Sequence, residues 1–306
     1  MSPSLFKRRQ RIVSVTIESD AIRYAELRSA NPLVLERVGE VLLPSGSVDG
    51  GQVADPAALA AAVEGAVGQW GIGRRRVRFL APDNYVMIRK VQTPADVPED
   101  ELKGYFFIEI GSSLYLPFDD PLFDVVPYTG EGEERESLII ATKESVIRQY
   151  ERALDGAKLK PVECDIAPLA LYRLAYLQHG LEEKRNVLVA DFHDGNLTVS
   201  IFHNHQPLFM RPIDFGEDED RSPDAAYREI SKIINFYTFN MMDGNETIDC
   251  LFIAGEYEGA EELNRLFREQ MGQETGHVLK EPAVDAAGWE WPARFDRVIG
   301  LALKEV

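Results

Sequence analysis

The sequence predicts an α/β protein built from two related halves, and two observations carry that prediction. A hairpin of alternating apolar and polar residues occurs twice, from Ile12 to Leu27 and again from Val187 to His203. Each copy runs through a third strand into a helix with one apolar face, so a three-stranded meander with a covering helix is repeated along the chain.

The first hairpin, I-V-S-V-T-I-E-S-D-A-I-R-Y-A-E-L, alternates on both sides of a Glu-Ser-Asp turn, and its third strand runs from Leu33 to Leu43. The helix that follows has Asp55 as its cap, Pro56 in its first turn and Gly71 beyond its end, with Leu59, Val63, Val67 and Trp70 on one face. The second hairpin, V-L-V-A-D-F-H-D-G-N-L-T-V-S-I-F-H, turns at Asp194-Gly195, and its third strand runs from Pro207 to Ile213. Its helix starts at Ser222-Pro223, carries Ala226, Ile230, Ile233, Ile234 and Tyr237 as a stripe, and stops near Gly244.

Between the halves lies an extra unit. It holds strands Val77 to Ala81 and Tyr85 to Val91, a helix from Pro98 to Ile110, a proline-restricted loop and a strand near Leu122 to Val126. The acidic stretch Gly130 to Glu136 reads as an exposed turn, and a strand from Ser137 to Ala141 resumes the first half. The expected division is residues 1–75 and 137–185 as a first core, 76–136 as an inserted subdomain, and 186–306 as a second domain. Meander plus covering helix, repeated, is the layout of the actin and sugar-kinase superfamily, a duplicated ribonuclease H-like fold whose two hairpin turns hold a nucleotide's phosphates from either side.

Composition excludes several classes of function. With 33 Lys and Arg against 51 Asp and Glu the formal charge is −18, which argues against a nucleic-acid partner. No apolar run approaches the ~20 residues of a membrane-spanning helix and no signal-peptide core opens the chain, so a cytoplasmic protein is expected. The basic cluster Lys7-Arg8-Arg9-Gln10-Arg11 reads as a solvated tail that can also touch anionic lipid. Cys164 and Cys250 sit in apolar strand contexts and read as buried thiols. His203 and His205 alternate along a strand with His193 near a turn, yet spacing fixes no third ligand, so no metal is expected. No Ser, His and Asp arrangement supports nucleophilic catalysis.

The order of several segments carries a resemblance. It comprises the Ile12 to Leu27 hairpin, L-P-F-D-D in the inserted unit, A-T-K-E-S-V-I-R-Q-Y from Ala141 and P-V-E-C-D-I-A-P-L-A-L-Y-R-L from Pro161. The second hairpin, I-D-C-L-F-I-A-G from Ile248 and I-G-L-A-L from Ile299 complete it. Over nearly its whole length the chain resembles the PilM family of actin-like proteins of type IV pilus assembly, itself similar to the cell-division protein FtsA. The resemblance implies an actin-like fold with an FtsA-like inserted subdomain, and a scaffold at the inner face of the cytoplasmic membrane. It implies that the scaffold binds the N-terminal cytoplasmic tail of a PilN-type membrane protein and couples it to a motor ATPase or platform protein. The tail would lie where the first core meets the inserted unit, near Pro82, Asn84, Tyr85, Phe106, Leu116, Ile166 and Leu169, because a peptide groove needs rigid apolar anchors.

By the same resemblance the nucleotide site falls on Thr16, Glu18, Ser19, Arg23, Asp191, His193, Gly195 and Gly255, and it departs from the family's pattern. Thr16, Ile17 and Glu18 stand where relatives carry Asp-Ile-Gly. Glu18 puts a negative charge where polyphosphate would sit, and Thr16 cannot replace a carboxylate in ordering hydrated magnesium. Arg23 keeps one cation, with Asp20 beside it; Asp191 keeps the acidic position, but His193 replaces a glycine. Gly255 is followed by Glu256 and Tyr257 instead of a second glycine. The expectation is a scaffold, not an enzyme, with ATP and magnesium binding lost or greatly weakened. An active actin-family ATPase or kinase, and an FtsA-like polymerising protein with self-association, stay open as alternatives.

Overall fold

The structure, a computed structural model, describes residues 12–130, 135–215, 220–285 and 287–305. The basic cluster from Lys7 to Arg11 lies outside the described residues, as do positions 131–134 of the acidic stretch. β1 (Val13–Ile17), β2 (Ala21–Ser29) and β3 (Val34–Leu42) form the first meander, with Thr16 opposite Arg23 and Ile17 opposite Ile22. A small ribbon of β4 (Val48–Asp49) and β5 (Gln52–Val53) leads into α1 (Pro56–Trp70). The Asp55 carboxylate caps α1 by accepting from the amides of Ala57 and Ala58, and Pro56 opens its first turn. Leu59, Val63, Val67 and Trp70 of its apolar face are buried, each contributing about 1.5–3 kcal/mol of transfer free energy.

β6 (Arg76–Ala81) then runs parallel to β1. A 3₁₀ turn at Asp83–Tyr85 leads to β7 (Val86–Gln92), α2 (Leu102–Glu109), β8 (Pro121–Tyr128) and β9 (Glu136–Lys143). α3 (Glu144–Gly156), β10 (Lys160–Ile166) and α4 (Ala167–His179) complete the first half. The second half repeats the meander with β11 (Asn186–His193), β12 (Asn196–His203) and β13 (Gln206–Ile213). α5 (Pro223–Phe236), β14 (Cys250–Gly255), α6 (Ala260–Met271) and β15 (Glu274–His277) follow. β16 (Ala283–Asp285), β17 (Glu290–Trp291) and α7 (Asp296–Ala302) follow, and a 3₁₀ turn at Leu303–Glu305 closes the described chain. Ser222 caps α5 through the Ala225 amide, and after Phe236 the helix continues as a π-helical turn to Met241.

Pairing corrects the boundaries read from the sequence. β6 belongs to the seven-stranded first sheet, in the order β10-β6-β1-β2-β3-β16-β17, not to the inserted unit. The inserted sheet is β7-β9-β8, so β9 leaves the first core and the inserted unit runs from Val86 to Lys143 instead of 76–136. The C-terminal part of the expected second domain also changes sides, because β16 pairs with β3 of the first sheet. Alternation identifies a strand but carries no information on which sheet receives it.

The layers follow from the apolar faces. α1 and α3 cover the outer face of the first sheet, and α5 and α6 cover that of the second sheet, β13-β12-β11-β14-β15. Between the sheets lie α4 and α7, with Leu171, Leu174, Val298 and Ile299 packed against Ala25, Leu35, Val189 and Phe252. The inserted unit has its own small core under α2, yet Tyr128 and Leu138 at one end of its sheet join the core of the second domain. Among the described residues no helix is long and apolar enough to cross a membrane.

α4 and α7 approach at backbone distance. A Cβ on Gly300 would lie 2.2 Å from the Ala170 carbonyl oxygen, so only glycine fits the crossing. Gly300→Ala is expected to cost on the order of 3 kcal/mol in urea unfolding, by overpacking. Gly65→Ala, in α1 with nothing near its Cβ, is expected to be neutral or stabilising by about 0.5–1 kcal/mol. Equal effects of the two substitutions would show that the crossing is not tight.

Candidate functional site

Two hairpin turns face each other across the gap between the sheets. In the second, Asp194 (φ 51°) and Gly195 (φ 73°) form the two-residue turn that the dipeptide predicts, with His193 paired to Asn196. In the first, the Glu18 amide donates to the Ala21 carbonyl. The Ser19 amide donates across the gap to Asp194 Oδ2 at 3.0 Å, joining the turns directly. His193 Nε2 lies 3.3 Å from Asp194 Oδ2 and 3.5 Å from Glu18 Oε2. Burial opposes the Asp194 charge, but the bonds from His193 and the Ser19 amide outweigh it and hold that carboxyl well below the usual carboxylate range.

Behind the turns the cleft is crossed by a guanidinium from α7. Arg297 Nε donates to Asp191 Oδ2 at 2.7 Å and its Nη2 to Asp83 Oδ2 at 2.6 Å, and Thr198 Oγ1 donates to the same Asp83 oxygen at 2.9 Å. Burial disfavours the Arg297 charge, yet the Asp191 and Asp83 carboxylates more than compensate and raise its affinity for the proton. Arg294 spans the outer edge, from Glu40 on β3 at 2.9 Å to Glu256 after β14 at 2.9 Å. Neither arginine, nor Asp83, was legible as a cleft residue in the sequence, because each lies far along the chain from the hairpins it meets.

The cation expected to survive at Arg23 is committed elsewhere. Arg23 is buried and pairs with Glu18, with Asp20 at 2.7 Å and with Glu40 at 2.8 Å, so its fork is filled by side chains of the chain itself. Thr16 and Glu18 are buried and line a cavity of about 200 Å³ together with Asp83, Asp194, Thr198 and Arg297. Gly255 has φ 78°, and a Cβ there would lie 2.0 Å from the Phe192 carbonyl, so its glycine is explained by the strand end and needs no ligand. Its amide donates to Asp296 Oδ2 at 3.1 Å; burial pushes the Asp296 carboxyl well above the ordinary range against that bond. Tyr257 stacks on Phe192, ring centroids 3.9 Å apart, and both border a second cavity of about 470 Å³ with Gly195, Phe215 and Arg221.

A separate groove of about 360 Å³ runs where the first core meets the inserted unit. β8 is an edge of the inserted sheet and β10 an edge of the first sheet, and both line it. Leu122 and Val162, each more than two-fifths exposed, stand on it with Phe123, Ile140 and Cys164. Of the residues expected there, Ile166 lines this groove, whereas Pro82 and Asn84 line the cleft cavity. Tyr85 and Leu169 pack against the first core, Phe106 is buried under the inserted sheet, and Leu116 packs beside it. Phe106, the member of that set on α2, is core, as aromatics are by default.

The histidines do not converge. Asn204 and His205 both take positive φ in a two-residue turn, which breaks the alternation expected from His203. His203 Nδ1 faces Asn186 at 2.8 Å inside the second core, while His205 bonds the Tyr172 hydroxyl at 2.7 Å on α4. Among the described residues no group of three potential ligands forms a metal site. Cys250 is buried and Cys164 half-buried, and burial pushes both thiols up to about 12.

Because Asp194 has a depressed pKa when folded, its stabilisation is present above its ordinary value near pH ~4 and is lost as the pH falls through the folded value. Asp194→Asn keeps a residue that tolerates positive φ. It is expected to lower the melting temperature at pH 7 by about 2–6 °C, with a smaller difference from wild type below pH ~3, in pH-resolved thermal unfolding. A pH-independent difference would refute the charge's role.

The profile of the family described as type IV pilus assembly protein PilM matches residues 14–221. Comparison with curated protein sequences gives no match. Among solved structures, a PilM-PilN type IV pilus biogenesis complex is similar at 21% identity with a TM-score of 0.71, over 96% of this chain and 98% of that one. The cytoplasmic domain of EpsL, an inner membrane component of the type II secretion system of Vibrio cholerae, is similar at 13% identity with a TM-score of 0.48, over 96% and 95%. A Bacteroides thetaiotaomicron protein with an actin-like ATPase fold is similar at 10% identity with a TM-score of 0.47, over 90% and 94%. The duplicated meander, the actin-like layering around α4 and α7, and the profile match over both hairpins lead to one conclusion: the chain belongs to the PilM family of type IV pilus assembly proteins.

Proposed function

We propose that this chain is a cytoplasmic, membrane-peripheral scaffold of a type IV pilus assembly complex that binds the N-terminal tail of a PilN-type membrane protein and has no turnover of its own. The groove between β8 and β10 carries this reading. It combines two sheet edges with exposed Leu122 and Val162 and the apolar walls Phe123, Ile140 and Ile166. An extended peptide uses such a place well, taking main-chain hydrogen bonds from an edge and seating alternate side chains in apolar pockets. The structural relative of matching fold was solved as a PilM-PilN complex, which supports the same class of partner here.

The cleft supports the second half of the proposal. A polyphosphate would have to approach Glu18 and Asp194, and magnesium would compete with Arg297 for Asp191. Reopening the cleft breaks buried pairs whose loss costs about 3–5 kcal/mol when one partner is left uncompensated. The tail is therefore bound without nucleotide, and coupling to a motor ATPase or platform protein is through surface contact.

Calorimetric titration with the N-terminal tail peptide of the PilN-type protein from the same assembly tests the groove. Leu122→Asp and Val162→Asp are each expected to weaken the peptide at least about tenfold, since each puts a charge into an apolar contact. Tyr115→Asp, at a position 71% exposed on the inserted unit, is expected to leave affinity unchanged. Unchanged affinity in both groove variants would place the tail elsewhere.

A further inference from the structure

The chain carries a formal charge of −18, yet one end of its first sheet is basic. β1, β6 and β10 run parallel, with Val13 beside Val77 and Lys160 beside Arg76, so their first residues stand along one end. Neighbouring strands lie about 4.8 Å apart, and these three strand ends span about 10 Å. The loops entering β6 and β10 are tied together there. The Arg74 amide donates to the Lys158 carbonyl at 2.7 Å, and the Lys160 amide to the Arg75 carbonyl at 2.9 Å. Arg74, Arg76, Lys158 and Lys160 are thereby gathered, all exposed.

These four side chains make no ion pair to a described residue. The acids at the same end are mostly engaged with other arginines: Glu26 is held by Arg75 at 2.9 Å and lies 3.8 Å from Arg37, and Glu36 is held by Arg28 at 2.8 Å. Asp155, in the last turn of α3, is the one carboxylate of these strand and helix ends without a described partner. Arg74 and Lys158 take φ of 65° and 64°, where glycine or asparagine is the easier residue, so cations stand there against backbone preference. The N-terminal cluster is confined to the same region. Arg11 is two residues from Val13 and Lys7 six, and a chain spans at most about 3.6 Å per residue, so the backbone of Lys7-Arg8-Arg9-Gln10-Arg11 stays within about 22 Å of Val13 in any conformation.

We propose that this end of the first sheet docks on the anionic surface of a lipid bilayer through Arg74, Arg76, Lys158 and Lys160. A bilayer meets only the face turned towards it, so the acidic remainder of the chain is directed into water and its repulsion fixes the orientation. A nucleic acid running past the patch would instead cross that acidic surface. Lys160 directly precedes Pro161 and Val162, which line the β8–β10 groove, so docking in this way holds the groove next to the bilayer. That consequence rests on the groove reading above, whereas lipid binding itself is measured with no peptide present.

The test is flotation of the full chain with vesicles of phosphatidylcholine and phosphatidylglycerol in equal parts, with pure phosphatidylcholine vesicles and a duplex DNA as comparison ligands. Binding to the anionic vesicles is expected, weakened by added salt, with none to phosphatidylcholine. Arg76→Gln with Lys160→Gln is expected to weaken it at least about tenfold. Arg74→Asn with Lys158→Asn, where asparagine tolerates the positive φ, is expected to do the same, and neither pair to lower the melting temperature. Lys232→Gln with Arg268→Gln, which takes the same charge from exposed positions of α5 and α6, is expected to leave vesicle binding unchanged. No binding to anionic vesicles, undiminished binding in either basic-end pair, equal weakening by the α5 and α6 pair, or tighter binding to DNA overturns the proposal. A chain that binds the tail peptide in calorimetry but no vesicle retires the lipid face and leaves the groove reading standing.

Discussion

Arg297 lies between Asp83 and Asp191, and the arrangement of the two halves depends on that buried contact. Asp83 lies two residues beyond the end of β6 in the first sheet, Asp191 lies on β11 of the second, and Arg297 comes from a helix packed between them. A guanidinium so placed is worth most when its partners are fixed, because desolvation makes an unpaired charge expensive on either side. The fork is met by carboxylates from both halves, and Thr198 adds a bond to the Asp83 oxygen already held by Arg297. Domain closure is thereby written into one helix. The same helix supplies Gly300 for the close crossing with α4, so its position along its axis is constrained at both ends.

Around this point the cleft of an actin-like fold is closed from within. Ser19 bonds Asp194 across the turns, Arg23 gathers Glu18, Asp20 and Glu40, and Arg294 ties Glu40 to Glu256. The inserted unit adds a second bridge. Its sheet reaches the second core through Tyr128 and Leu138, and Gln206 accepts from the Thr129 amide while donating to the Pro127 carbonyl. The β8–β10 groove lies on this same unit, which is anchored to both halves.

Much of the architecture was legible in the sequence where the signal is local. Alternation marked both hairpins, Asp194-Gly195 set its turn, and Asp55-Pro56 and Ser222-Pro223 marked the helix starts. Glu18 and His193 could be placed in the two facing turns because the hairpins fix their register. Sheet membership was not legible: β6 and β9 have the pattern of any half-buried strand, and only their partners decide where they belong. Arg297 was missed because an arginine beside an acidic residue at the start of a helix reads as a solvated face, whereas burial between two sheets is a tertiary fact. Of the residues expected at a peptide groove, Phe106 and Leu116 serve the inserted unit's own core, whereas the exposed Leu122 and Val162 lie on edge strands, whose exposure alternation alone does not reveal.

We propose that the chain's own ion pairs occupy the place of a nucleotide. Calorimetric titration of Mg-ATP into the purified wild-type chain tests it most directly. No saturable heat at millimolar nucleotide is the expected result, with Arg297 keeping Asp83 and Asp191 and Arg23 keeping Glu18. Saturable binding at micromolar affinity would contradict it, and would mean that the Arg297 bridge opens readily and that the cleft works as a nucleotide switch.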